Sequence, residues 1–197
     1  GGFVERGELG RAAGGRGERL AVSTELDLPG RHNRVNVLAA AVALRAAGFP
    51  LEPLRRAALA FTPLPHRLQE VALVRGVRFV DDSKGTNVGA VLEALVAMRE
   101  TLAPGARIFT LLGGRDKNLP WQDLAGLVHQ RVEHVILFGE AAEKIEAVFG
   151  SPSGATRTQT RCGGLREAVQ KAAEVAGPGY VVLLSPGGTS FDEFTDF

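Results

Sequence analysis

The chain has 197 residues, with Lys+Arg 23, Asp+Glu 22 and a formal net charge of +1. Neither a strongly basic nucleic-acid binder nor an acidic-tailed protein is the default reading. With 45% hydrophobic residues it can bury a core, and its 25 glycines point to many tight turns, some of them at ligand sites.

Residues 1–28 are rich in Gly, Arg and Glu. They predict loop plus one weak strand or hairpin around Leu20-Ala21-Val22. A helix is predicted from near Asn33, with Val35, Leu38, Ala39, Val42 and Ala46 at helical spacing and Gly48 with Pro50 as its stop. Pro53 to Phe61 predicts a second short helix. Pro63 and Pro65 then break the chain, so 62–67 is a candidate linker. Beyond it the pattern changes. Val77–Val80, Ile108–Leu112, Val135–Phe138 and Tyr180–Leu184 read as strands. Val88, Val91, Leu92, Leu95 and Val96 mark one helix between them, and Leu165, Ala168, Val169 and Ala172 another. Strands alternating with helices predict an α/β fold with a mostly parallel sheet, apolar on both faces. The apolar–acidic run Ser190–Phe197 reads as an unfinished helix, so a fragment of a longer protein is expected.

Ligands of open parallel sheets bind outside the carboxyl ends of the strands. Three predicted strands end in polar, glycine-rich segments: Asp81-Asp82-Ser83-Lys84-Gly85-Thr86-Asn87, Gly113-Gly114-Arg115-Asp116-Lys117, and Ser185-Pro186-Gly187-Gly188-Thr189-Ser190. Together they offer lysines, hydroxyls and backbone N–H groups, a set suited to an anionic small molecule. Each alone has a plainer reading. Thr86 or Asn87 caps a helix, Gly113-Gly114 is a turn, Lys117 is a solvated lysine, and Ser190 is an N-cap. Asp81-Asp82 reads as a metal or acid/base pair, or as strand-end residues facing water.

The remaining inventory is negative. Neither G-x-x-x-x-G-K-[ST] nor G-x-G-x-x-G occurs. His32, His66, His129 and His134 lack metal-ligand spacing, and His129 and His134 read as surface residues at a helix–strand junction. The single Cys162 excludes an intramolecular disulfide framework, fits a reducing compartment and reads as a structural thiol. Trp121 reads as packing. No apolar run approaches the roughly 18 residues of a membrane helix.

Several of these segments resemble the Mur ligase family of ATP-dependent acid–amino-acid ligases. Leu28-Pro29-Gly30-Arg31-His32-Asn33-Arg34-Val35-Asn36 is similar to the family's segment near the end of its central ATPase domain. Leu64-Pro65-His66-Arg67-Leu68 is similar to the junction into its C-terminal domain. Asp82-Ser83-Lys84-Gly85-Thr86-Asn87 resembles the member that adds D-glutamate, where siblings carry an Asp-Tyr-Ala-His type motif. Leu112 through Lys117 and Leu184 through Phe197 agree with it.

The resemblance implies that 1–65 is the tail of a P-loop ATPase domain and that 66–197 is most of a Rossmann-like C-terminal ligase domain. It implies C–N bond formation in peptidoglycan precursor synthesis, in the cytoplasm, with ATP and Mg2+. The carboxylate of UDP-N-acetylmuramoyl-L-alanine is phosphorylated, and the amine of D-glutamate attacks the acyl phosphate. Domain closure at the linker keeps water away. Asn33, Asn36, Arg67 and Asp82 match ATP-binding positions. Lys84 matches a catalytic lysine at the phosphate end. Thr86 and Lys117 match the residues holding one carboxylate of D-glutamate, and Ser190, Phe191 and Phe197 those holding the other. The phenylalanines are expected to act through backbone N–H groups. The magnesium ligands, the P-loop and a carbamylated lysine would lie upstream, so this chain alone is expected to be inactive. The expected partners are the two substrates, with no nucleic acid or membrane, and a monomeric state. Two alternatives stand beside this: a sibling ligase adding another amino acid, and a non-catalytic α/β ligand-binding module.

Overall fold

A computed structural model describes residues 30–103, 105–150 and 158–190 together with Leu26 and Leu28, and the backbone alone of 2–5, 8–13 and 16–22. The chain divides into two compact units, Gly1–Pro63 and Leu64–Phe197.

In the first unit, β1 (Gly2–Glu5), β2 (Glu8–Ala13) and β3 (Arg16–Val22) form an antiparallel meander. The expected single weak strand or hairpin is therefore too little. Backbone pairing needs no apolar alternation, and apart from Leu20-Ala21-Val22 in β3 these runs, dominated by Gly, Arg and Glu, offer none to read.

Helix α1 runs Arg31–Ala46, and α2 runs Leu51–Ala60. After α1 the chain turns through Gly48 at φ 91, with Arg45 Nη1 donating to Phe49 O at 2.7 Å. The buried stripe of α1 differs from the one expected. Leu38 is buried and Val37, Ala41 and Val42 pack beside it against Leu26, Leu28 and Ala58, whereas Val35 is 40% exposed. Alanine-rich helices carry little contrast between faces, so spacing alone found Leu38 and Val42 but included the exposed Val35, Ala39 and Ala46 and missed Val37 and Ala41.

The second unit is a six-stranded sheet in the order β4-β5-β9-β6-β7-β8, with α3 to α6 between the strands. Its strands are β4 (Gln69–Val74), β5 (Val77–Asp81), β6 (Ile108–Gly113), β7 (Val132–Phe138), β8 (Thr158–Arg161) and β9 (Val181–Gly187). Its helices are α3 (Val88–Thr101), α4 (Gln122–Arg131), α5 (Ala142–Phe149) and α6 (Leu165–Val175). Every neighbouring pair is parallel except β4 with β5. Those two form a hairpin through Arg75 at φ 51 and Gly76 at φ 77, two left-handed residues of the kind tight hairpins require. The edge strands β4 and β8 are polar or exposed and escaped the apolar-run reading.

Burial on both faces follows from the connections. Ile108, Leu112, Leu137, Val181 and Leu183 pack with Val91 and Leu95 of α3, Leu124 of α4 and Ile145 of α5. Alternate residues Phe109, Leu111, Ile136 and Val182 pack with Ala168 and Ala172 of α6. His134 is a correction to the surface reading. It is buried on β7, its Nε2 shares a 2.8 Å hydrogen bond with Thr160 Oγ1, and its ring lies 5.0 Å from Phe109. Burial and the charge of Lys171 push its imidazole below the ordinary value. Cys162 and Trp121 are buried, as structural residues should be. Among the described residues no helix is long and apolar enough to cross a membrane.

Leu183, fully buried on β9, lies at the middle of the sheet. Leu183→Ala should lower unfolding free energy by about 2–5 kcal/mol, read by chemical denaturation. A loss well under 1 kcal/mol would contradict this packing.

Candidate active site

Strand β9, the last of the described strands in sequence, lies between β5 and β6, parallel to both. The segments following these three strands therefore leave the sheet at one edge. Backbone bonds join them. Gly187 N–H donates to Gly85 O at 2.8 Å, Gly188 N–H to Gly113 O at 3.1 Å, and Arg115 N–H to Thr189 O at 2.8 Å. The tip after β9 is thus bonded to the tips on either side of it.

A side-chain latch reinforces one seam. Ser185 Oγ donates to Asp82 Oδ2 at 2.7 Å, and Leu68 N–H donates to Asp82 Oδ1 at 3.3 Å. Ser185 is fully buried and Asp82 is 8% exposed. Gly85 is required beside the latch, because a Cβ there would lie 2.6 Å from both Asp82 Oδ2 and Ser185 Oγ. Gly187, at φ +76, presses on the ring of Trp121, where a Cβ would lie 2.6 Å away.

Asp81 holds the entry to the domain. Its Oδ2 lies 2.7 Å from His66 Nδ1, and its Oδ1 accepts from Ser83 N–H at 2.8 Å. Lys84 N–H donates to His66 O at 3.3 Å. Residues 66–68 are thereby tied to the tip after β5. His66 and Leu68 both have left-handed φ, 64 and 50, a backbone state other residues rarely adopt unless surrounding bonds hold it.

Five expected site residues lie at this edge. Asp82 is buried in the latch, Thr86 and Ser190 are half-buried, and Lys84 and Lys117 are exposed. Among the described residues Lys117 and Arg67 have no ion-pair partner, which leaves two cations uncommitted. Arg67 is joined to the edge through its neighbours His66 and Leu68. Asn33 and Asn36 stand three residues apart on α1, in the other unit. Phe191 and Phe197 lie outside the described residues. The capping reading applies to Asn87, whose Oδ1 accepts from Ala90 N–H at 2.9 Å. Thr86 is not the cap.

The metal reading of Asp81-Asp82 finds no third ligand, since no group of three His, Cys, Asp or Glu is placed to hold an ion among the described residues. Both carboxylates serve the framework. Three features went unread in the sequence: the His66–Asp81 contact, the hydroxyl of Thr189, which is buried without a hydrogen-bond partner, and the contacts of Asp116. The last was readable in part, because an acidic residue followed three and five residues later by Leu119 and Trp121 can accept from both.

Residues 66–188 match the family described as Mur ligase, glutamate ligase domain. The chain belongs to the Mur ligase family. Two similar Mur ligases are each named UDP-N-acetylmuramoylalanine–D-glutamate ligase. The one from Syntrophus aciditrophicus is 42% identical over 170 residues, covering 86% of this chain and 35% of that protein. The one from Symbiobacterium thermophilum is 39% identical over 197 residues, covering 99% of this chain and 41% of that protein. The chain thus spans about two fifths of the length of its relatives or less. Among solved structures, the Mur ligase fold recurs in UDP-N-acetylmuramate-alanine ligase MurC from Thermotoga maritima, at TM-score 0.67 and 16% identity over 93% of this chain and 40% of that one. It recurs in FolC from E. coli, solved in complex with ADP, at TM-score 0.69 and 18% identity over 95% of this chain and 43% of that one.

Two carboxyls of this Mur ligase segment, Asp81 and Asp116, sit below the usual carboxylate range. Burial opposes the charge of Asp81, and hydrogen bonds from His66 and Ser83 with the charge of His66 outweigh it. A folded-state value below the unfolded one gives stability that is present above the unfolded value and lost as pH falls through the folded one. Asp81→Asn should therefore be less stable than the parent at pH 7, and the gap should close below about pH 4. Thermal melts from pH 7 to pH 2 check this, and a constant gap would mean the charge of Asp81 contributes nothing.

Proposed function

We propose that this chain supplies the amino-acid-binding part of an ATP-dependent ligase that adds D-glutamate to UDP-N-acetylmuramoyl-L-alanine for peptidoglycan precursors. The supporting observation is the joined rim of three strand tips carrying an uncommitted Lys117 beside the Thr86 and Ser190 tips. D-glutamate has two carboxylates, and a rim with cation and hydroxyl donors on separate tips suits a two-headed acid. The names of the D-glutamate-adding relatives support the same choice.

Thr86 and Lys117 bind one carboxylate, the lysine by charge and the threonine through its hydroxyl. Ser190, Phe191 and Phe197 bind the other, the phenylalanines through N–H groups because a phenyl ring cannot donate to a carboxylate. Held at both ends, the amino acid presents its amine in one orientation, and much of the entropic barrier to attack is removed beforehand. Lys84 and Arg67 are cations suited to phosphate oxygens. Lys84 offsets the negative charge that grows on those oxygens as the tetrahedral intermediate collapses, its acyl C–O bond breaks and inorganic phosphate leaves. The α1 amides Asn33 and Asn36 are assigned to the nucleoside part of ATP in this reading.

ATP supplies the phosphoryl group that activates the substrate carboxylate. The described residues fit its phosphates in charge. They offer no carboxylate cluster for Mg2+, so no step here depends on residues of this chain holding that ion. A hinge at the linker, residues 62–67, would allow a closure that excludes water from the activated carboxylate.

The test is an amino-acid panel on the full-length protein, scored by phosphate release. D-glutamate should be turned over and L-glutamate, L-alanine and diaminopimelate should not. Turnover of another amino acid instead would replace this reading with a sibling specificity. Within the D-glutamate reaction, Lys117→Ala should raise KM for D-glutamate about ten-fold or more, as loss of a charge-assisted contact of about 1.5–3 kcal/mol implies. KM for ATP should stay within about two-fold. Equal losses for both substrates would mean Lys117 is assigned to the wrong ligand.

A further inference from the structure

Three charges follow one another after β6: Arg115, Asp116 and Lys117. A carboxylate next to the cation that is meant for a substrate carboxylate poses a difficulty, since at short range it would neutralise that cation and repel the ligand. The structure turns Asp116 elsewhere. Its Oδ1 accepts from Leu119 N–H and from Trp121 Nε1–H, each at 3.2 Å. Its Oδ2 accepts from Lys144 Nζ of α5 at 2.7 Å. Arg115 pairs with Glu140 at 3.5 Å. Lys117 alone of the three has no ion-pair partner among the described residues.

The same contacts shape the loop. Trp121 is fully buried, and its ring is the surface against which Gly187 at the end of β9 is packed. Its indole N–H reaches back to Asp116, so one carboxylate connects the loop after β6, the start of α4, and α5. Asn118, at φ 57, turns the chain immediately after Lys117. Burial opposes ionisation of Asp116, but the bonds from Lys144, Leu119 and Trp121 and the charge of Lys144 outweigh it, so its carboxyl stays charged at neutral pH.

We propose that Asp116 and Lys144 are a positioning pair that fixes the loop carrying Lys117 through Trp121 while keeping the negative charge of Asp116 off Lys117. Lys144 serves as the counter-charge and Trp121 as the spacer. This rests on the reading of Lys117 as a ligand for a substrate carboxylate.

The test is a charge-balance rescue in the full-length ligase, with D-glutamate and ATP varied separately. Lys144→Ala exposes Lys117 to an uncompensated carboxylate and should raise KM for D-glutamate about five-fold, with KM for ATP within about two-fold. Adding Asp116→Asn should bring KM for D-glutamate back to within about two-fold of the parent. The amide oxygen still accepts from Leu119 and Trp121 but carries no charge. A purely structural anchor would leave the double variant as impaired as Lys144→Ala or worse. Protection against thermal unfolding by D-glutamate should follow the same order, and Lys144→Gln serves as a gentler variant if Lys144→Ala melts early. No rise in KM for Lys144→Ala, or no recovery in the double variant, overturns the pairing while leaving Lys117 in place. If Lys117→Ala itself leaves KM for D-glutamate unchanged, the pairing and the reading beneath it fall together.

Discussion

The hydrogen bond from Ser185 to Asp82 joins two segments 103 residues apart in sequence. It closes one seam of the edge at which the candidate site sits. Removing either partner would leave a buried polar group unsatisfied, at a cost of about 1–3 kcal/mol. The constraint behind it is topological. Because β9 enters the sheet between β5 and β6, a strand distant in sequence from both completes the rim. Gly85 and Gly187 are the space this arrangement needs. One keeps side-chain bulk out of the latch and the other keeps it off Trp121.

Charge is distributed over this edge with the same economy. Asp81 is opposed by His66, Asp82 is engaged by Ser185 and Leu68, and Asp116 is engaged by Lys144 and Trp121. These acidic groups are engaged in the framework, while among the described residues Lys117 and Arg67 have no ion-pair partner. An edge built in this way leaves Lys117 and Arg67 available to an anionic ligand although the chain as a whole carries a formal charge of only +1.

Much of the second unit was legible in the sequence because its strands are buried on both faces. Ile108–Leu112 and Tyr180–Leu184 are continuous apolar runs, and the observed strands Ile108–Gly113 and Val181–Gly187 differ from them by a few residues at the ends. The polar tips were legible for the complementary reason, since glycine and hydroxyl residues directly after an apolar run mark the end of a buried strand. What could not be read was pairing at a distance. Nothing local to His66 announces Asp81, and nothing local to Asp116 announces Lys144. Edge strands β4 and β8 lack a buried face to impose a pattern. The burial of His134 was missed for the same reason, because its partner Thr160 comes from an edge strand 26 residues on. Mur ligase membership was legible from the residues at the tips rather than from the fold, which structures of 16% and 18% identity share.

The central claim is that three strand tips act as one binding surface for a single two-headed acid. Hydrogen exchange of the full-length ligase, with and without saturating D-glutamate in the presence of nucleotide and the sugar substrate, addresses it directly. The account predicts that residues 84–87, 113–118 and 185–190 gain protection together. Protection confined to one of the three segments, with the other two unchanged, would contradict it.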